Sequence, residues 1–331
     1  MSQLDDFLTQ TLARQLDAEQ ALINGDPGSR LAMWSTQDPV TVFGAEKSVI
    51  GSEEARQVFR WLATRFSSCT DYRFELVAAG ASGDLAYTLG YERFSFSMDG
   101  GPVAPITLRV THVYRREDGE WKIVHRHADS LMADQTAPAE APAPAGERQR
   151  EASPPPAGRR STSRPEQAER LGPARTLAAA ETDLADFLAT ALPRQVETES
   201  AWHQRDLDAR LALWSTREPV TLFGGGGACV SSSDEVRRNF RTAVTGIVPC
   251  RSFDYDLVAA GGGGELAYTV GYEHISFDPG PVQDYTLRVT YLYRRENGEW
   301  KIVHRHGTLA ETSAPPADPN VAGQPAPRRQ Q

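Results

Sequence analysis

Leu4, Phe7, Leu8 and Leu12 return at three- and four-residue steps, the spacing that gives a helix one apolar face. The pattern weakens towards Leu22, and Asn24-Gly25-Asp26-Pro27-Gly28 ends it. A short helical turn over residues 31–34 then leads into a strand at 40–43. Ser52-Glu53-Glu54 opens a second amphipathic helix whose apolar positions are Ala55, Val58, Phe59 and Leu62. Beyond it the period changes from helical to alternating, which predicts strands over 72–78, 85–97, 106–116 and 121–127. Helices first and a strand meander afterwards indicate an α+β unit with its helices on one face of the sheet.

The pattern occurs twice. RLAMWSTQDPVTVFGA (30–45) matches RLALWSTREPVTLFGG (210–225), and DLAYTLGYERFSF (84–96) matches ELAYTVGYEHISF (265–277). TLRVTHVYRREDGEWKIVHRH (107–127) returns as TLRVTYLYRRENGEWKIVHRH (286–306), each a hairpin turning at Asp118-Gly119 or Asn297-Gly298. Three blocks in the same order are a tandem duplication, too long per unit for a solenoid. The second copy opens with Leu184, Phe187, Leu188 and Leu192, then Pro193, which is expected to kink the helix or start another. The predicted organisation is a first domain over 1–131, a Pro/Ala/Arg-rich linker over 132–178, a second domain over 179–309 and a tail over 310–331. Linker and tail are too poor in apolar residues to order themselves and are expected to be disordered.

Composition narrows the functional classes. The 331 residues carry a formal charge of −9, which does not attract nucleic acid or an anionic membrane. No apolar run approaches a spanning helix, and the acidic N-terminal stretch is unlike a secretory signal, so a cytoplasmic protein is expected. Three cysteines, Cys69, Cys229 and Cys250, cannot form a disulfide framework and show no zinc spacing. Gly224–Gly227 and Gly261–Gly264 are glycine runs without the lysine of a phosphate loop. Neither a cofactor nor a metal is expected.

Trp34, Pro39-Val40-Thr41-Val42, the helix entry from Gly51 to Phe59 and Asp118-Gly119-Glu120-Trp121-Lys122-Ile123-Val124-His125-Arg126-His127 carry a resemblance, repeated at Trp214, Pro219 to Leu222 and Asn297 to His306. Both modules resemble the NTF2-like superfamily, in its SnoaL-like and ketosteroid-isomerase-like bacterial branch. The resemblance implies two cone-shaped domains, each a curved antiparallel sheet wrapped around N-terminal helices and enclosing a pocket, with modules that commonly pair through their sheets. Isomerases, cyclases, dehydratases, binders and assembly domains share that fold. The carboxylate base of the ketosteroid isomerases falls on Gly44 here and on Gly224 in the second copy, so the resemblance leaves enzymatic activity open.

Strand alternation supplies the candidate site. Glu92 is expected opposite Arg109, and Glu273 on a matching face with Arg288, able to orient a polar ligand group or to form a structural ion pair. His125 and His127 are expected to share a face with Trp121 and Ile123, and His304 and His306 one with Trp300 and Ile302. These histidines read as hydrogen-bonding residues in the pocket or at a subunit contact. A metal site completed by His112 or Asp129 has no counterpart at Tyr291 and Thr308. Whether the histidine face joins that of Arg109 or that of His112 depends on reading the turn at 117–119 as two residues or three. Trp34, Tyr91, Trp214 and Tyr272 are the aromatic lining, with the two tyrosines as donors to a ligand oxygen. Glu92, His127, Glu273 and His306 are the candidate catalytic groups. The expected function is binding of a small, largely apolar molecule with a polar or anionic end in each cone, with isomerase-, cyclase- or dehydratase-type catalysis and an assembly role as alternatives. The domains are expected to pair within one chain or between two.

Overall fold

A computed structural model describes residues 2–131 and 173–310. Each half follows one plan. In the first, α1 (Gln3–Ile23), α2 (Gly28–Met33), β1 (Thr41–Phe43), β2 (Ser48–Ile50) and α3 (Ser52–Ala63) precede β3 (Phe66–Ser82), β4 (Leu85–Met98), β5 (Ala104–Glu117) and β6 (Glu120–Ser130). In the second, α4 (Pro173–Trp202), α5 (Leu207–Leu213), β7 (Thr221–Phe223), β8 (Cys229–Val230) and α6 (Ser233–Ala243) precede β9 (Ser252–Gly263), β10 (Leu266–Ser276), β11 (Tyr285–Glu296) and β12 (Glu299–Leu309). Helix α4 runs through Pro193 without a second start and begins inside the stretch expected to be linker. Residues 132–172 and 311–331, to which most of the expected linker and tail belong, lie outside the described residues.

A capping box starts α1: the Ser2 hydroxyl accepts from the Asp5 amide while the Asp5 carboxylate accepts from the Ser2 amide. The helix buries one stripe, Phe7, Thr11, Gln15, Ala18, Glu19, Leu22 and Ile23, and α3 buries Ala55, Val58 and Phe59. Both pack on one face of a six-stranded sheet ordered β2-β1-β6-β5-β4-β3, and the second half repeats this as β8-β7-β12-β11-β10-β9. The sheets are mixed rather than purely antiparallel, because β1 runs parallel to β6 and β7 parallel to β12. Strand β2 was not anticipated, three residues being too few to show a period.

The β5–β6 turn has two residues, Asp118 and Gly119, both at positive φ, and pairs Glu117 with Glu120. Four pairs later the ladder slips: Tyr114 faces Ile123, but Val113 faces His125, so Val124 is an extra residue. Such a bulge inverts the facing of everything beyond it. Trp121 and Ile123 therefore point to the helices, while His125 and His127 point away from them. The same slip at Leu292 and Tyr293 separates Trp300 and Ile302 from His304 and His306. The expectation that these residues share one face is thus corrected, and the histidine face joins that of Arg109.

The faces turned away from the helices meet each other. Phe43, Leu85, Tyr87, Leu89, Val113 and Val124 of the first half form one apolar cluster with Ala259, Leu266, Tyr268, Val270, Leu292 and Val303 of the second. Strand β4 is consequently buried at every position from Leu85 to Glu92, as a strand covered on both faces must be.

Candidate functional site

On the helix-covered face of the first sheet, four charged side chains converge from four elements. Helical spacing puts Glu19 on the buried stripe of α1, α2 presents Arg30, β4 presents Glu92, and the bulge turns Arg126 of β6 inward. Arg30 is ion-paired with Glu19, and Arg126 Nη2 lies 2.6 Å from Glu92 Oε2. Arg30 also stacks its guanidinium 4.5 Å from the Phe59 ring. In the second domain Glu199 holds Arg210, and Glu273 holds Arg305 at 2.5 Å. All eight side chains are buried. Two carboxylates and two guanidiniums make each set neutral overall, which is how charges persist without water.

Beside the first set stands His112, whose Nδ1 is 3.5 Å from Gln15 Nε2. In its place the second domain has Tyr291, which donates to Glu273 Oε1 at 2.5 Å and accepts from Arg305 Nε at 2.9 Å. Glu19, Glu92 and His112 bring three possible metal ligands within 4.8 Å of one another. Both carboxylates already hold an arginine there, and that positive charge opposes a cation.

These environments move the ionisation of the buried groups. Burial lowers Arg30 to about 9, with the charge of Arg126 adding to the effect and Glu92 opposing it. Burial also holds His112 well below the usual imidazole range, so its ring is neutral. In the second domain burial raises Glu199, and the charge of Glu273 raises it further against the pull of Arg210. Burial pushes Glu273 the same way, but Arg305 and the Tyr291 hydroxyl outweigh it and leave this carboxyl low. Two neighbouring carboxyls are thereby driven apart.

Each set borders a cavity between helices and sheet. In the first domain it measures about 130 Å³, with Glu19, Arg30, Glu92 and Arg126 among side chains such as Leu22, Phe59, Phe94 and Leu108. In the second it measures about 470 Å³ and is bordered by Glu199, His203, Arg210, Phe240, Leu287 and Arg305.

Residues 16–134 and 197–310 each match the family model of the SnoaL-like domain. The chain belongs to the SnoaL-like family. It is a tandem of two such domains, with the α+β architecture of NTF2-like proteins. Among solved structures it is similar to a protein described as a dehydratase of the NTF2-like family from Streptomyces avermitilis (21% identity, 39% of this chain and 99% of that one, TM-score 0.34). It is also similar to a ketosteroid isomerase-like protein from Erwinia carotovora atroseptica (15% identity, 39% and 98%, TM-score 0.34) and to an NTF2-like protein from Shewanella oneidensis (19% identity, 38% and 98%, TM-score 0.31). Comparison with curated proteins gave no match.

Several expected site residues lie elsewhere in these SnoaL-like domains. Tyr91, not Glu92, stands opposite Arg109, and Tyr272, not Glu273, opposite Arg288. The connections after β4 and β10 set a register one residue away from the one expected, and a one-residue slip exchanges the faces. Arg109 and Arg288 therefore point to the other domain. Arg109 Nη1 donates to the Gly224 carbonyl at 3.0 Å, and Arg288 Nη1 to that of Gly44 at 2.8 Å. Tyr91 packs 5.7 Å from Phe223 and Tyr272 5.3 Å from Phe43, so both leave the pocket lining. Trp34 and Trp214 pack on Phe59 and Phe240 within the cores. Of the expected residues, Glu92, Glu273, His112 and Tyr291 remain on the pocket side. Gly44 and Gly224 border the cavities, but a Cβ at Gly44 would stand 2.7 Å from the Lys47 carbonyl oxygen.

His125, His127, His304 and His306 form a ladder between the domains, each with no exposed surface. His127 and His306 stack at 3.8 Å. His125 lies 2.6 Å from Thr41 Oγ1 and 2.8 Å from Thr290 Oγ1, and His127 lies 3.0 Å from both Thr290 and Thr308 hydroxyls. The mirror set joins Thr221, His304, Thr111 and His306 at 2.7, 2.9 and 3.0 Å, and ends on Asp129 at 2.9 Å from His306 Nε2. One neutral tautomer serves all four rings: each Nδ1 accepts from a threonine hydroxyl, and each Nε2–H donates onward.

Sequence reasoning missed Glu19, Arg30, Arg126, Glu199, Arg210 and Arg305. Signals existed: Glu19 and Gln15 fall on the apolar stripe of α1, and both copies keep an arginine at the head of RLAxWS and between the two histidines of HRH.

Two outcomes follow from these arrangements. Burial lowers His125 and His304 to about 3, below an unfolded value near 6.5. Their contribution is complete above that unfolded value and is lost as pH falls towards 3. Melting temperature should therefore decline steadily over this window, and His125→Asn should flatten the decline; a slope unchanged in the variant refutes this role. Separately, Arg126→Leu should cost about 3–5 kcal/mol by stranding Glu92. The double variant Glu92→Leu/Arg126→Leu should recover most of that loss in urea denaturation.

Proposed function

We propose that each domain binds a small, largely apolar molecule whose polar end is uncharged. The observation that carries this reading is the cavity itself, apolar on its walls and floored by a charge-balanced Glu/Arg set. Several buried atoms of that floor have no hydrogen-bonding partner among the described residues: Arg30 Nε, Glu92 Oε1 and Arg126 Nε in the first domain, Glu199 Oε1 and Arg210 Nε in the second. Leaving such atoms unpaired is costly, and a hydroxyl or carbonyl of a ligand would satisfy them. An ionic end gains nothing from a floor whose charges already cancel. The free thiols of Cys69, Cys229 and Cys250 support a reducing, cytoplasmic setting. No described helix is long and apolar enough to cross a membrane.

The two domains of one chain are taken to pair as an internal pseudo-dimer, which the shared apolar cluster and histidine ladder support. Native mass spectrometry of freshly purified protein tests both statements. It should show single chains carrying a small-molecule adduct that is released on activation, and the adduct should diminish in Leu22→Trp. Adduct-free protein that also gains no melting temperature from any apolar compound would end the binding reading, and obligate dimers would end the pairing within one chain.

Acid–base catalysis on the bound molecule is a second reading, favoured by the opposed shifts of Glu199 and Glu273. A carboxyl pushed towards its protonated form next to one held towards its ionised form is the pairing that proton transfer needs. Turnover of the ligand should then fall about 10²–10⁴-fold in Glu199→Gln, with binding retained; equal turnover in the variant removes this reading.

A further inference from the structure

The two cavities share a floor but differ in their walls. Four residues after Glu19, the first domain has Ile23; four after Glu199, the second has His203. Just before Phe59 stands Val58, and just before Phe240 stands Asn239, while Leu62 of α3 is matched by Ala243 of α6. All six border their cavities. Three apolar side chains are thus replaced by two hydrogen-bonding ones and a smaller one, and the second cavity holds about 470 Å³ against about 130 Å³.

His203 is only 8% exposed. Its ring stacks at 5.4 Å on Phe253, which leaves its edge, where both nitrogens lie, free of the stacking contact. Among the described residues, neither these nitrogens nor the Asn239 amide has a hydrogen-bonding partner. Burial lowers His203 to about 4, so the ring is neutral and presents one donor and one acceptor. A neutral imidazole and a carboxamide suit a hydroxyl or carbonyl and give no charge to attract an anion.

Resting on the reading of these cavities as ligand pockets, we infer that the domains have diverged in specificity. The second takes a larger, uncharged apolar molecule whose hydroxyl or carbonyl is bound by His203 and Asn239. The first admits only a compact molecule that makes no hydrogen bond to its walls. The duplication then provides two different receptors on one chain rather than two copies of one.

Fluorescence titration of the full chain with phenanthrol and phenanthrene, which differ by one hydroxyl, tests this, with toluene as the compact probe followed by calorimetry. Phenanthrol should bind once per chain. In His203→Ile/Asn239→Val, which installs the first domain's own residues, its affinity should fall about tenfold or more, while phenanthrene and toluene change little. Ala243→Leu, which narrows the cavity without touching the polar pair, should weaken both fused-ring probes and spare toluene. Phenanthrol binding twice per chain, or with equal affinity in the double variant, overturns the divergence and leaves the pocket reading standing. Failure of all three probes to bind the wild-type chain overturns the pocket reading, and with it this one.

Discussion

One extra residue in the last strand of each domain sets the chemistry of both faces of the sheet. Without the bulge at Val124, the alternation begun by Trp121 and Ile123 would send His125 and His127 into the pocket and Arg126 out towards the other domain. With it, Arg126 closes on Glu92 inside, and the two histidines meet threonines of the other sheet. Val303 does the same for His304, Arg305 and His306. An inserted residue is the cheapest way to reverse a strand's facing, because the ladder resumes immediately beyond it.

The two faces satisfy buried polar groups differently. Inside each cone, formal charges are retained and cancelled in pairs, an arrangement that withstands burial only while every partner is present. Between the domains, neutral imidazoles alternate with hydroxyls, and the formal charges of Arg109, Asp129 and Arg288 stand beside these runs. A neutral ladder costs less desolvation than ion pairs would. It is also sensitive to acid, because every ring nitrogen already has its role.

The faces are also linked. Arg109 of the first domain holds the carbonyl of Gly224 at the rim of the second cavity, and Arg288 holds that of Gly44 at the rim of the first. Each pocket rim is thus positioned by the other domain. Gly44, where the resemblance to ketosteroid isomerases would place their base, serves here as a backbone acceptor, and a Cβ there would meet the Lys47 carbonyl oxygen at 2.7 Å.

Element order, the duplication, the positions of the hairpin turns and the family were legible in the chain, because hydrophobic period and turn chemistry act over a few neighbouring residues. In LAYTLGY the large side chains Leu85, Tyr87, Leu89 and Tyr91 fall at alternate positions, on the one strand face that meets the other domain. Facing was not legible. Whether Glu92 meets Arg109 or Arg126, and whether His127 looks into a pocket or at His306, depends on a one-residue register and on a bulge. Both are decided by how whole strands pack against helices on one side and a second sheet on the other. Local sequence determined which side chains were available; only the assembled sheets decided which of them meet.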